Sequence, residues 1–209
     1  VQVYYKHDPA KDKGMDYYRE SLKQQLYNSM VNARLGELLQ QESNPFIYGV
    51  SVYTSLVRTK DAYILFALAK NNQVLPTLET MITENQKVKR FGFTEGELER
   101  AKSDVRAQIE KQYNDRNKRK SSEYIWEYFG NFLENEPVPG VEFDYEFTQE
   151  ELPGISLDEM NQLAKNWITD ENRVVIITGP DKEGVEIPTS EEVMAAINKA
   201  DNTEVEAYV

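Results

Sequence analysis

The feature that most constrains the fold is a change of hydrophobic period at residues 44 and 45. Upstream, in a stretch that begins near Met15, Leu22, Leu26, Met30 and Ala33 recur three or four apart, and Leu35, Leu38 and Leu39 widen the stripe. That spacing puts them on one face of a helix that must pack on a sheet. Asn44-Pro45 stops the helix, because proline pushes the residue before it out of the helical region. Downstream the period falls to two. Phe46, Tyr48, Val50, Val52, Thr54 and Leu56 are expected on one face of a strand, with Ile47, Gly49, Ser51, Tyr53 and Ser55, smaller and more polar, on the other. After the charged turn Arg58-Thr59-Lys60-Asp61, residues 62–69 are apolar throughout and are expected as the return strand of a long antiparallel hairpin, covered on both faces.

The remaining segments fill in around this hairpin. Residues 1–5 are β-branched and aromatic, a strand, followed by a polar loop through Pro9 and Gly14 that would place His7 at the surface. Residues 72–90 return to helical spacing through Leu75, Leu78, Met81, Ile82 and Val88, with Pro76 tolerated in the first turn. Four capping boxes, Thr94/Glu97, Thr148/Glu151, Ser156/Glu159 and Thr189/Glu192, mark helix starts, and they account for the acidic pairs Glu150/Glu151 and Glu191/Glu192 as helix N-termini. Tyr124, Ile125, Tyr128, Phe129, Phe132 and Leu133 make an amphipathic helix whose aromatic stripe is expected in the core. Residues 157–168 are a further helix, and 174–178 a central strand closed by the turn that begins at Gly179-Pro180 and runs through Asp181, Lys182 and Glu183 to Gly184. Strand and helix patterns do not alternate regularly, so the fold class is α+β, a mostly antiparallel sheet with helices packed on it. Residues 1–181 read as a single domain. Residues 182–209, polar with one short helix, read as a connector toward a following domain.

Composition removes several functions. The 24 basic against 36 acidic residues leave a formal charge of −12, which repels the phosphates of a nucleic acid. The basic run at 116–120 is expected as a solvated helix end. No stretch approaches the ~18 to 20 apolar residues of a membrane span. There is no cysteine and a single histidine, so neither a structural nor a hydrolytic zinc site can be completed in this chain. No catalytic and no metal-ligating residue is nominated. The chain opens on Val1-Gln2-Val3-Tyr4-Tyr5, without an initiator Met, and reads as a piece of a longer polypeptide.

Residues 30–53, MVNARLGELLQQESNPFIYGVSVY, then FGFTEGELERAKSDV from Phe91 and ISLDEMNQLAKNWITDENRVVIITGP from Ile155, resemble the non-catalytic second domain of the pitrilysin/insulinase family of zinc metallopeptidases, in its N-terminal half. The match covers nearly the whole chain. The resemblance implies a metallopeptidase (LuxS/MPP-like) domain beside a preceding domain that carries the His-x-x-Glu-His motif and the zinc. It also implies that this domain, together with the following half of the same polypeptide, walls a chamber around a peptide. It suggests a bacterial, periplasmic or envelope setting. In the second half of such proteins an arginine and, a turn and a half later, a tyrosine reach the reacting carbonyl; Tyr48 matches that tyrosine, but Gln41 or Gln40 stands at the arginine position. The resemblance therefore leaves Phe46 and Tyr48 as candidate substrate-groove residues and nothing as a catalyst. The alternative is an inactive relative that acts as a structural or protein-binding partner.

Overall fold

The computed structural model describes residues 1–180, 182 and 184–208. Its strands are β1 (Gln2–His7), β2 (Phe46–Val57), β3 (Lys60–Ala69) and β4 (Arg173–Ile176). Its helices are α1 (Met15–Leu39), α2 (Val74–Phe91), α3 (Glu95–Asn114), α4 (Ser121–Glu134), α5 (Val141–Glu151), α6 (Leu157–Trp167) and α7 (Ser190–Asn202). The four strands form one antiparallel sheet in the order β2-β3-β1-β4. The α+β class is as the sequence requires.

One face of the sheet is closed. Val3 and Tyr5 of β1, Tyr63, Leu65 and Ala67 of β3, and Phe46 and Ser51 of β2 are buried there beneath Leu22, Leu26, Tyr27 and Met30 of α1 and Leu78, Met81 and Ile82 of α2. An aromatic cluster centres this layer: the Trp167 ring lies 4.6 Å from Tyr53, 4.7 Å from Tyr27 and 5.4 Å from Tyr63 between centroids. Residues of this size supply most of the apolar area removed from water. His7 joins the same layer, which corrects its assignment to a surface loop. It is the last residue of β1, half-buried, with its ring stacked on Tyr53 at 6.0 Å, and burial pushes its imidazole below the ordinary value.

Other expectations fail for local reasons. Ala33 and Leu39 of α1 are exposed, because the buried stripe steps by four through Tyr27, Val31 and Leu35 and carries Arg34 with it. The strand at 174–178 is not central: β4 pairs only with β1 and sits at the sheet's edge. Thr148 and Glu151 have the letters of a capping box but fall in the last turn of α5, which starts at Val141 after Pro139-Gly140; Glu151 there ion-pairs with Arg19 at 3.0 Å. The other three boxes form. In the basic run, Arg116 lies over the Tyr113 ring and pairs with Glu142 at 3.1 Å, Arg119 pairs with Glu127, and the exposed Lys118 pairs with Asp115 at 2.8 Å, so three of its four cations are ion-paired. The turn expected through Asp181 and Glu183 lies in part outside the described residues. The stretch expected as a connector contains α7, which packs on α2 and places Ala196, Ile197 and Ala200 in the core. Asp201 ties it down by accepting from both Arg173 Nη atoms, at 2.9 and 2.6 Å, and from Gln86 at 2.9 Å.

Candidate functional site

The sheet's second face is open. The β1–β3 and β2–β3 registers bring Tyr48, Val50 and Val52 of β2 beside Leu68, Phe66 and Ile64 of β3, with Tyr4 of β1 and Val174 and Ile176 of β4 continuing the face. Expected as covered, this side is half exposed: Tyr48 and Leu68 at 50%, Ile176 at 41% and Val52 at 39%. The Tyr48 and Phe66 rings lie 6.1 Å apart across it. The exposed apolar residues are contiguous on this face rather than scattered singly.

A bulge separates the two residues nominated for a groove. Phe46 pairs with Ala69 and Tyr48 with Leu68, so two steps along β2 match one along β3 and Ile47 is the extra residue. The bulge turns Phe46 into the closed layer, where it is fully buried, and leaves Tyr48 on the open face. The strict alternation expected over residues 46–56 is thus broken at its first step, and the structure does not bring the pair together. Gly49 follows Phe46 onto the buried side; a Cβ there would stand 2.9 Å from the Phe46 ring. Gln40 and Gln41 are exposed in the turn after α1.

Two polar contacts, neither nominated from the sequence, hold α1 to its neighbours. Asn32 of α1 binds the outer edge of β2 as a neighbouring strand would: its Oδ1 accepts from the Ser51 amide at 2.6 Å and its Nδ2 donates to the Ser51 carbonyl at 3.1 Å. Arg34, two residues on and on the opposite side of the helix, donates from Nε and Nη2 to the two carboxylate oxygens of Glu97 at 2.6 and 2.9 Å, and from Nη2 to the Gly92 carbonyl at 3.0 Å. Burial alone would raise the Glu97 carboxyl; the Arg34 guanidinium and the Thr94 amide outweigh it and hold the carboxyl below its ordinary value. A charged residue inside an apolar helical stripe, with the glutamate of a capping box elsewhere in the chain, is the signal that could have pointed to this pair.

The zinc that the resemblance implies does not fit these residues. The donor set offers one imidazole, whose Nε2 is buried without a partner, and no thiol. Among the described residues no group of three or more His, Asp or Glu is placed to hold an ion. Nor is any helix among them long and apolar enough to cross a membrane.

No family model matches the chain. The "Zinc protease PQQL-like" of Arabidopsis thaliana is 24% identical over 169 residues, which is 81% of this chain and 15% of the relative, so the chain spans a small part of that protein. Among solved structures, the first half of the periplasmic protease PqqL from Escherichia coli superposes with a TM-score of 0.84 at 15% identity, covering 100% of this chain and 45% of that one. The peptidase M16 inactive domain from Pseudomonas fluorescens superposes at 0.57 with 12% identity, covering 86% of this chain and 42% of that one. An antiparallel sheet with one helix-covered face, shared with these proteins, defines a metallopeptidase-type (LuxS/MPP-like) α+β domain. Within that class the chain is similar to zinc protease domains, one of them described as inactive.

Proposed function

We propose that this chain is a scaffold and substrate-chamber domain of a larger zinc metallopeptidase. The observation that carries the reading is the asymmetry of the sheet: one face fully buried, the other apolar and half exposed across β2, β3 and β4. In this reading a preceding domain of the same polypeptide supplies the zinc and the water-activating glutamate, and the open face seats against a neighbouring domain. Tyr48, at the exposed end of that face, contributes to the wall a peptide meets. The domain runs through α7, and the connection toward the following half leaves after it.

The test compares the chain alone with a longer polypeptide that includes the upstream domain. The expected result is no stoichiometric zinc and no peptide hydrolysis for the chain alone, both gained by the longer protein. Amide exchange in β2 and β3 should also slow when the upstream domain is present. Stoichiometric zinc or hydrolysis by the chain alone would overturn the reading, as would unchanged exchange in both strands. An upstream region without His-x-x-Glu-His would instead favour the inactive, protein-binding relative.

A further inference from the structure

Helix α4 was expected to bury its aromatic stripe and does not. Ile125, Tyr128, Phe129, Phe132 and Leu133 share one helical face, with Trp126 at its flank, and no residue of α4 is buried; Phe132 is 83% and Trp126 77% exposed. The helix is nevertheless held at both ends. At its start Arg119 lies 4.2 Å over the Tyr124 ring and pairs with Glu127. At its end Asn135 closes the last turn in the left-handed region, Lys13 donates to the Glu134 carbonyl at 3.0 Å, and the Tyr17 hydroxyl donates to Glu136 at 2.7 Å. An amphipathic helix fixed in place with its apolar face in water is built to receive something.

Charge says what. From residue 121 to residue 164 the chain carries eleven Asp or Glu and not one Lys or Arg; six pair with Lys13, Arg19, Arg116 or Arg119, and among the described residues Glu134, at the end of α4, and Asp144, beside it, have no ion-pair partner. Beside α4 lies a groove of about 420 to 520 Å³ at either end; the larger is walled by Asp115, Glu123, Glu127 and Asp144 against Lys111 and Arg119. Burial first, and then the neighbouring Glu127, pushes the Asp144 carboxyl upward, while Arg119 pulls it down. We propose that α4 docks a basic amphipathic segment of a partner polypeptide, apolar side chains on the aromatic face and Lys or Arg in the acidic groove. Aromatic side chains are the anchors such interfaces favour. An anionic membrane, or a second copy with the same charges, would be repelled.

Trp167 is buried in the core, so a blue shift of fluorescence on docking reports Trp126. The chain is titrated with a Leu/Lys amphipathic peptide of about five helical turns, a scrambled version, and a Leu/Glu version. Only the first should shift the emission, and its affinity should fall as salt is raised. Phe129→Ala/Phe132→Ala should weaken binding by at least about tenfold with the circular dichroism spectrum unchanged. Should that variant not fold, Glu134→Gln/Asp144→Asn, which leaves the apolar face intact, should still weaken binding several-fold. Equal binding of the scrambled or Leu/Glu peptide would overturn the proposal. So would unweakened binding by the foldable variants, a preference for anionic vesicles, or a Trp126 already shifted by self-association.

Discussion

Replacing Arg34 by methionine keeps much of the side chain's volume and removes only its charge and hydrogen bonds. Arg34 and Glu97 are 3% and 4% exposed at their side chains, so the change strands a carboxylate inside the protein. Breaking one side of such a pair costs about 3–5 kcal/mol, and loss of the guanidinium from over the Phe93 and Tyr208 rings, at 5.0 and 4.3 Å, adds to it. The pH dependence separates this cause from mere packing. In the native protein the Glu97 carboxyl is held below its ordinary value of 4.5, so its stabilising share is present above that pH and is lost as pH falls through the lower folded value. In the Arg34→Met protein burial acts unopposed and raises the carboxyl. The variant's deficit is then full at pH 7 and shrinks as pH falls toward 4, where the buried group accepts a proton. In Glu97→Gln the stranded group is a guanidinium that stays charged throughout, so its deficit should be flat from about pH 7 to about 5.5 and shrink toward pH 4 only by the native protein's own loss of the Glu97 share. Urea denaturation followed by Trp167 fluorescence at pH 4, 5.5 and 7 measures all three proteins. A loss below about 1 kcal/mol for Arg34→Met at pH 7, within the range of exposed pairs, would refute the reasoning; so would a deficit that does not change with pH.

Three smaller perturbations test other contacts. Gly49→Ala drives a methyl to 2.9 Å from Phe46 and 3.0 Å from Met81 and should cost about 1–3 kcal/mol in chemical denaturation. Thr94→Ala removes the side chain that accepts from the Glu97 amide and should cost about 1 kcal/mol in chemical denaturation, whereas Glu151→Gln, at the letters of a box that does not form, should cost less than that by the same measurement. Asn32→Leu frees the Ser51 amide and carbonyl at the outer edge of β2; the expected outcome is about 1–3 kcal/mol of lost stability and concentration-dependent self-association in sedimentation velocity.

The hairpin, the helix before it and three of four helix starts could be read directly because each rests on a local rule. The capping boxes at Thr94, Ser156 and Thr189 need only a hydroxyl and a carboxylate three residues apart at the start of a turn. The fourth shows the rule's limit. Four letters do not say where a helix began, and at Thr148 the better signal was Pro139-Gly140, with Gly140 at a φ of +93° just before α5. The bulge at Ile47 left no mark, since isoleucine is at home on either side of a sheet and a period of two assumes that every residue advances the ladder by one. Gly49 is the trace it leaves, a residue without a side chain where the shifted Phe46 ring needs room.

The two largest departures share a cause. The outer face of β3 and the aromatic face of α4 were both expected to be covered, and both stand open. Hydrophobic periodicity reports that a surface is made to leave water, and it carries no information on whether the cover belongs to the same chain. Each pattern was assigned to this domain's own core, and the structure leaves both in water. The inner layer already seats Trp167, Tyr27 and Tyr63 against α1 and the sheet. The apolar residues left over lie on separate surfaces, a flat sheet face and a single helix with an acidic flank. Surfaces so different in shape and charge are why the covers proposed for them differ: a neighbouring domain on the sheet, and a cationic segment on α4.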